Sequence, residues 1–193
     1  MDRRTQVPGQ LVPAQVSDSR WWLRTYAAAG EPFSYGDDTT YVRGFAFLED
    51  CETVEDWGCG TGYARRFREG RQYTGVDGSA PGWADRTADL RTYESSLPDG
   101  IFMRHVLEHN RDWELILANA VASARSRLAL IIFTPFQDET RQIGGSEDIP
   151  DLGFRKTDLL GFLTGFSVAE EHLETATQYG QEHVFCAERL EAR

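Results

Sequence analysis

Val54-Glu-Asp-Trp-Gly-Cys-Gly-Thr-Gly62 sets the acid Asp56 just ahead of glycines alternating at Gly58, Gly60 and Gly62. That order predicts a strand over Thr53–Trp57, a glycine loop, and a helix from Gly62 to Glu69. Glycines let the main chain turn sharply and approach a ligand that a Cβ would hold away. Asp77 closes the next strand, Gln72–Val76. In a doubly wound sheet this sets its carboxylate beside the glycine loop, at the carboxyl edge where ligands bind.

Outward from that core the chain alternates helix and strand patterns. Trp21–Ala29 reads as a short helix stopped by Gly30 and Pro32, and Thr39–Leu48 as a second with Tyr41, Phe45 and Leu48 on one face. Only a short segment separates Asp77 from Asp89, and it holds Pro81 and Gly82. That is too little chain for a full helix and strand, so a turn at Ala80–Asp85 and a short strand at Arg86–Leu90 are expected. Further strands are predicted at Asp99–Arg104 and Arg127–Thr134, the second nearly continuous in apolar residues, as a strand buried on both faces should be. His105–His109 is read as a loop opening a helix that continues through Trp113–Ser123. Residues 136–154 read as a long irregular loop rich in acid and glycine, and Arg155–Leu163 as a helix with Thr157 as its cap. Phe166–Glu171 and His183–Arg189 alternate as a closing pair of strands.

The spacing of Asp56 to Gly62 resembles the first motif of class I S-adenosylmethionine-dependent methyltransferases: an acid, one residue, then Gly-x-Gly-x-Gly. The resemblance runs on through Asp77, Asp89-Leu90, Arg104-His-Val-Leu-Glu-His109 and the last strand, over roughly residues 40–190. It implies an α/β fold with a Rossmann-like, doubly wound, mostly parallel sheet and a C-terminal antiparallel strand pair. It implies S-adenosylmethionine as cofactor, with Gly58, Cys59, Gly60 and Gly62 passing under its amino-acid end and Asp56 ordering that end. Asp77, with Gly78 beside it, would accept from the ribose hydroxyls. Asp89 and the backbone of Leu90 would take the adenine amino group. Arg104 and His105 match positions facing the methyl, and His105 is the candidate catalytic base, its ordinary pKa of roughly 6.5 suiting proton transfer near neutrality. The N-terminal helices, residues 21–50, would cap the cofactor, so that Tyr26, Tyr35 and Tyr41 are candidates to line the acceptor pocket.

His105, Glu108 and His109 resemble the Glu-x-x-Glu-His metal site of some O-methyltransferases. The first glutamate is His105 here, and no histidine stands in the loop after strand five, so no metal is expected. Arg65, Arg66, Arg68 and Arg71 are read as the solvated face of the first helix. Cys51, Cys59 and Cys186 lack metal spacing and are read as reduced thiols, Cys59 as a small residue under the cofactor.

The 193 residues suit one domain: an N-terminal arm over 1–20 and a single methyltransferase domain over 21–193. A net charge of −11 and a pI near 4.8 argue against a protein that grips a phosphate backbone, and the acids dense over Asp138–Asp151 and Glu170–Glu174, if they rim the site, favour a neutral or cationic acceptor. No apolar stretch is long enough to span a bilayer, and two N-terminal arginines precede no apolar core, so a cytoplasmic location is expected. The expected activity is methyl transfer to an oxygen or nitrogen of a small-molecule acceptor, with no membrane partner and a homodimer left open. The alternatives are a nucleic-acid or metal-dependent O-methyltransferase, an NAD-binding oxidoreductase, whose Gly-x-Gly-x-x-Gly spacing is one residue longer, and a non-catalytic partner protein of the same fold.

Overall fold

The computed structural model describes residues 20–190; the arm expected over 1–20 lies outside them except for Arg20, which starts the first helix. The elements are α1 (Arg20–Ala27), α2 (Thr39–Phe47), β1 (Thr53–Trp57), β2 (Gln72–Val76), β3 (Gly100–Arg104), α3 (Trp113–Ser123), β4 (Arg127–Ile132), β5 (Arg141–Gly145), β6 (Pro150–Gly153), α4 (Lys156–Phe162), β7 (Phe166–Glu174) and β8 (Gln181–Arg189).

Six strands form one sheet in the order β2-β1-β3-β4-β8-β7. β1 pairs in parallel with β2 and β3, and β3 with β4, while β8 runs antiparallel to β4 and β7. This is the mostly parallel α/β sheet with a terminal antiparallel pair that the sequence predicts. The strand order reverses between β1 and β3, which opens a crevice beyond Trp57 and Arg104. Because β8 is antiparallel, its first residues lie at this same edge: Ile132 at the end of β4 pairs with His183, next to Glu182.

Side chains alternate across the sheet and build two apolar layers. Ile101 and Met103 join Trp57, Leu128, Leu130 and Phe185 under α3 and α4. Phe102 points the other way, to Val54, Ile131 and the Phe45 ring of α2. Gly44 allows that close approach, since a Cβ there would stand 2.5 Å from the Phe102 ring.

Several local expectations are corrected. The segment after the glycine loop is a 3-10 helix over Tyr63–Phe67, not a helix over Gly62–Glu69. Left-handed Gly62 (φ 73°) and Gly70 (φ 88°) bracket it, and Glu69 itself adopts φ 45°. Arg86–Leu90 forms no strand, only a single parallel bridge from Arg86 to Val76. Asp85 accepts from Gly75 N at 2.7 Å and Arg65 at 2.6 Å, and Asp89 chelates Arg91, so local side-chain bonds replace the ladder. The long loop over 136–154 contains the β5–β6 hairpin. His105–His109 does not run into α3: a 3-10 turn over Leu107–His109 is followed by extended Asn110. The cap of α4 is Arg155 rather than Thr157, and its guanidinium binds Asp158. Arg71 is not a solvated face residue: it bonds the carbonyls of Leu48, Phe45 and Arg68, tying the loop to α2.

Candidate active site

The glycine loop turns at the end of β1 with Gly58, Gly60 and Gly62 at φ of 79°, 52° and 73°. A Cβ on Gly58 would collide with Val106, so the loop also packs against the connection leaving β3. Asp77 closes the loop from the end of β2, accepting from Gly60 N at 2.9 Å and Ser79 N at 2.6 Å. Burial raises its pKa, and the two backbone N–H groups oppose that rise. A carboxylate offers about four acceptor directions, so this one keeps capacity for further donors. Gly78 lets the following segment close in, its Cβ direction lying 3.1 Å from Ala88 O.

Asp56 sits beneath the loop and accepts from the Tyr73 hydroxyl. Burial pushes its pKa up to about 7 against the Tyr73 bond, with nearby Asp77 adding to the rise. Cys59 is buried, and burial pushes its thiol far up, which disfavours the thiolate. Leu90 is part of the apolar core. Asp89 is engaged by Arg91, whose bonds hold the carboxyl below its usual range, and Arg91 also binds Asp112 at 2.6 Å.

At the end of β3 a second cluster gathers on Glu182. Arg104 Nη2 lies 2.9 Å from Glu182 Oε1, and Arg104 Nε donates to Thr40 Oγ1 at 2.9 Å. Thr40 in turn donates to Glu182 Oε1 at 2.9 Å. His105, in the left-handed region at φ 56°, brings its Nε2 to 2.6 Å from the same oxygen. Burial would raise the Glu182 pKa, but the His105 bond and the Arg104 charge outweigh it and bring it down. An ionised carboxylate only accepts, so Nε2 carries the proton and Nδ1 holds the lone pair. Burial, aided by Arg104, drives the His105 pKa to about 4 despite Glu182, which corrects the near-neutral value expected from sequence: the imidazole is neutral at physiological pH, free to accept a proton, but a weaker base than expected.

Glu108 accepts from Phe133 N at 2.7 Å, and its other oxygen is buried without a partner among the described residues. Burial pushes its pKa up to about 8. His109 Nδ1 meets Pro150 O at 3.0 Å, which fastens this turn to β6. His105, Glu108 and His109 therefore face three different partners. Among the described residues no group of three or more His, Cys, Asp or Glu is arranged to hold a metal.

α1 lies across this edge. Tyr26 covers the glycine loop, its hydroxyl 3.1 Å from where a Gly60 Cβ would stand, and Trp83 Nε1 donates to Tyr26 O at 3.0 Å. Tyr35 is half exposed and gives its carbonyl to Arg104 at 2.8 Å. Tyr41 belongs to the core, stacked on Phe67 and Phe102. A recess of about 720 Å³ opens beside the loop, lined by Glu31, Pro32, Gly62, Tyr63, Arg65 and Arg66 among others, and none of Asp77, His105 or Glu182 lines it. Sequence reasoning missed Glu182, Thr40, Trp22 and Phe133. Only the antiparallel course of the last strand, which returns Glu182 to the edge, would have pointed to it.

No family model matches the chain, and no curated protein matches it. Solved structures share its fold. The 1,6-didemethyltoxoflavin-N1-methyltransferase of Burkholderia thailandensis, solved with 1,6-didemethyltoxoflavin and S-adenosylhomocysteine bound, aligns at 18% identity over 99% of this chain and 94% of its own, with a TM-score of 0.68. The N-methyltransferase NodS of Bradyrhizobium japonicum, in complex with S-adenosylhomocysteine, aligns at 13% identity over 90% of this chain and 99% of its own, with a TM-score of 0.62. The magnesium protoporphyrin IX methyltransferase of Synechocystis aligns at 18% identity over 91% and 89%, with a TM-score of 0.58. The chain has the fold of the S-adenosylmethionine-dependent methyltransferases.

Proposed function

We propose that this chain transfers a methyl group from S-adenosylmethionine to an oxygen or nitrogen of a small molecule. The observation that carries the reading is the junction of Asp77 with the glycine loop, where a buried carboxylate meets backbone bare of Cβ atoms at the crevice between β1 and β3. The neighbours of the same fold named for N-methylation and solved with S-adenosylhomocysteine support it. An acidic chain favours a neutral or cationic acceptor over a nucleic acid. Three free cysteines fit a reducing cytoplasm, and no helix among the described residues is long and apolar enough to cross a membrane.

The residues present fit the donor. Asp77 would take the ribose hydroxyls with its spare acceptor directions, and Gly58–Gly62 would lie along the amino-acid end. Bound there, the donor supplies an electrophilic methyl carbon whose sulfur keeps the electron pair of the broken C–S bond. His105 Nδ1 takes the acceptor's proton, and Glu182 then faces the imidazolium across the 2.6 Å bond. The His105 bond, with the Arg104 charge beside it, keeps Glu182 ionised. Much of the rate comes from holding the reactants in line, which in good cases supplies on the order of 7 kcal/mol. Calorimetric titration tests the reading: saturable binding of S-adenosylhomocysteine and none of NAD is expected, and the reverse pattern would overturn it.

A further inference from the structure

α1 has no buried residue, yet two of its rings reach into the crevice. The Trp22 indole stacks on Tyr26 at 5.4 Å between centroids, meets His109 at 5.2 Å on another side, and meets Tyr35 edge-on at 6.0 Å. Beyond His109 lies Phe133 at 5.5 Å, and Phe133 packs on His105 at 4.6 Å. The indole therefore fills an aromatic slot between the ring that covers Gly60 and the rings that surround the candidate base.

We propose that this slot is the acceptor site, and that the acceptor is a flat, uncharged fused aromatic ring system that takes the place of the Trp22 indole. The inference rests on the methyl-transfer reading and adds the substrate class. Tyr26, Tyr35 and His109 present ring faces and edges, which favour offset or edge-to-face contact with another ring. An ammonium would seek an ionised, unpaired carboxylate, but Asp151 beside His109 is engaged by Tyr179 at 3.0 Å and Gln178 at 3.3 Å, Glu108 is kept protonated by burial, and Glu182 is paired with Arg104 and His105. A saturated acceptor would fill the volume and lose the ring contacts. No residue of α1 is fully buried, and Tyr26 stays fastened over the loop by its carbonyl bond to Trp83, so the Trp22 side chain alone can swing out of the slot without opening the core. Trp22 then acts as an internal competitor that closes the crevice until an acceptor displaces it.

The test uses the full chain and indole as the probe. Trp22→Ala is expected to bind indole at least 10-fold more tightly than the wild-type protein in calorimetry, and to bind cyclohexanol no better than the wild type does. Equal indole affinity in the two proteins, or equal gains for cyclohexanol, overturns the inference. S-adenosylhomocysteine is titrated into the same samples: donor binding without the indole effect sinks the acceptor slot alone, and loss of both sinks the methyl-transfer reading as well. Should Trp22→Ala unfold, the wild-type protein is titrated with millimolar indole by NMR. Shifts confined to Trp22 and its ring neighbours then support the slot, and shifts elsewhere or none contradict it.

Discussion

Glu182, at the start of the last strand, holds His105, just past the end of β3, through a 2.6 Å bond to Nε2. Two elements far apart in sequence thus fix one imidazole at the edge of the sheet. The same glutamate oxygen also takes Arg104 and Thr40, so the ring borrows its orientation from a pre-formed ionic cluster.

One consequence is a defined tautomer. His105 is expected to remain neutral, with its proton on Nε2, through the neutral range and to titrate at about 4. Nitrogen-15 shifts of the ring against pH read this directly. A ring that titrates near its ordinary value of about 6.5 would contradict the assignment.

Replacing His105 separates chemistry from binding. His105→Ala is expected to leave S-adenosylhomocysteine affinity within about twofold while turnover on an aromatic acceptor falls by roughly 10²–10⁴, the usual contribution of a positioned base. A parallel loss of donor affinity would make His105 a binding group instead.

Asp77 is the complementary case. Asp77→Ala frees Gly60 N and Ser79 N and removes the carboxylate, and is expected to weaken donor binding by about 1–3 kcal/mol, the cost of leaving buried partners unpaired. Unchanged affinity in calorimetry would take Asp77 out of the site.

The pH dependence of stability follows from Asp56 and Glu108. Burial lifts their pKa values to about 7 and about 8, so the folded state binds protons that the unfolded state has already lost. Stability from these groups is fully present below about pH 4 and is lost as pH rises through 7 and 8. Above about pH 6.5, where the buried histidines no longer add stability as pH rises, melting temperature is therefore expected to fall up to about pH 8.5, and Glu108→Gln, which keeps an acceptor for Phe133 N, should flatten that fall. An identical slope in wild type and variant would refute it.

The glycines of the loop divide by packing. Gly58→Ala meets both a left-handed backbone and the Val106 side chain, whereas Gly62→Ala meets only the backbone term, its nearest neighbour being Trp83 O at 3.8 Å. Urea unfolding should show Gly62→Ala costing about 1–2 kcal/mol, and Gly58→Ala a further 1–3 kcal/mol or so from overpacking. Equal losses would mean that Val106 yields freely.

β4 and β3 were legible because Leu-Ala-Leu-Ile-Ile and Ile-Phe-Met are the apolar runs that strands buried on both faces demand, whereas β1 and β2 were legible from the glycine loop and Asp77 that follow them. The glycine loop and Asp77 were legible because few other residue types tolerate that turn. The β5–β6 hairpin was not, since Arg141-Gln-Ile-Gly-Gly and Pro150-Asp-Leu-Gly give no alternation to read. Arg86–Leu90 looked like a strand by position, but Asp85 and Asp89 spend their carboxylates on local partners. Glu182 was invisible for a different reason. A strand-opening glutamate carries no motif, and only the antiparallel return of β8 brings it to His105.

The most direct measurement is a titration of the labelled wild-type protein with S-adenosylhomocysteine, followed by amide resonances. Saturable shifts centred on Gly58, Gly60, Gly62 and Asp77 are expected. Binding that leaves those four amides unmoved, or no binding at all, would contradict the account at its root.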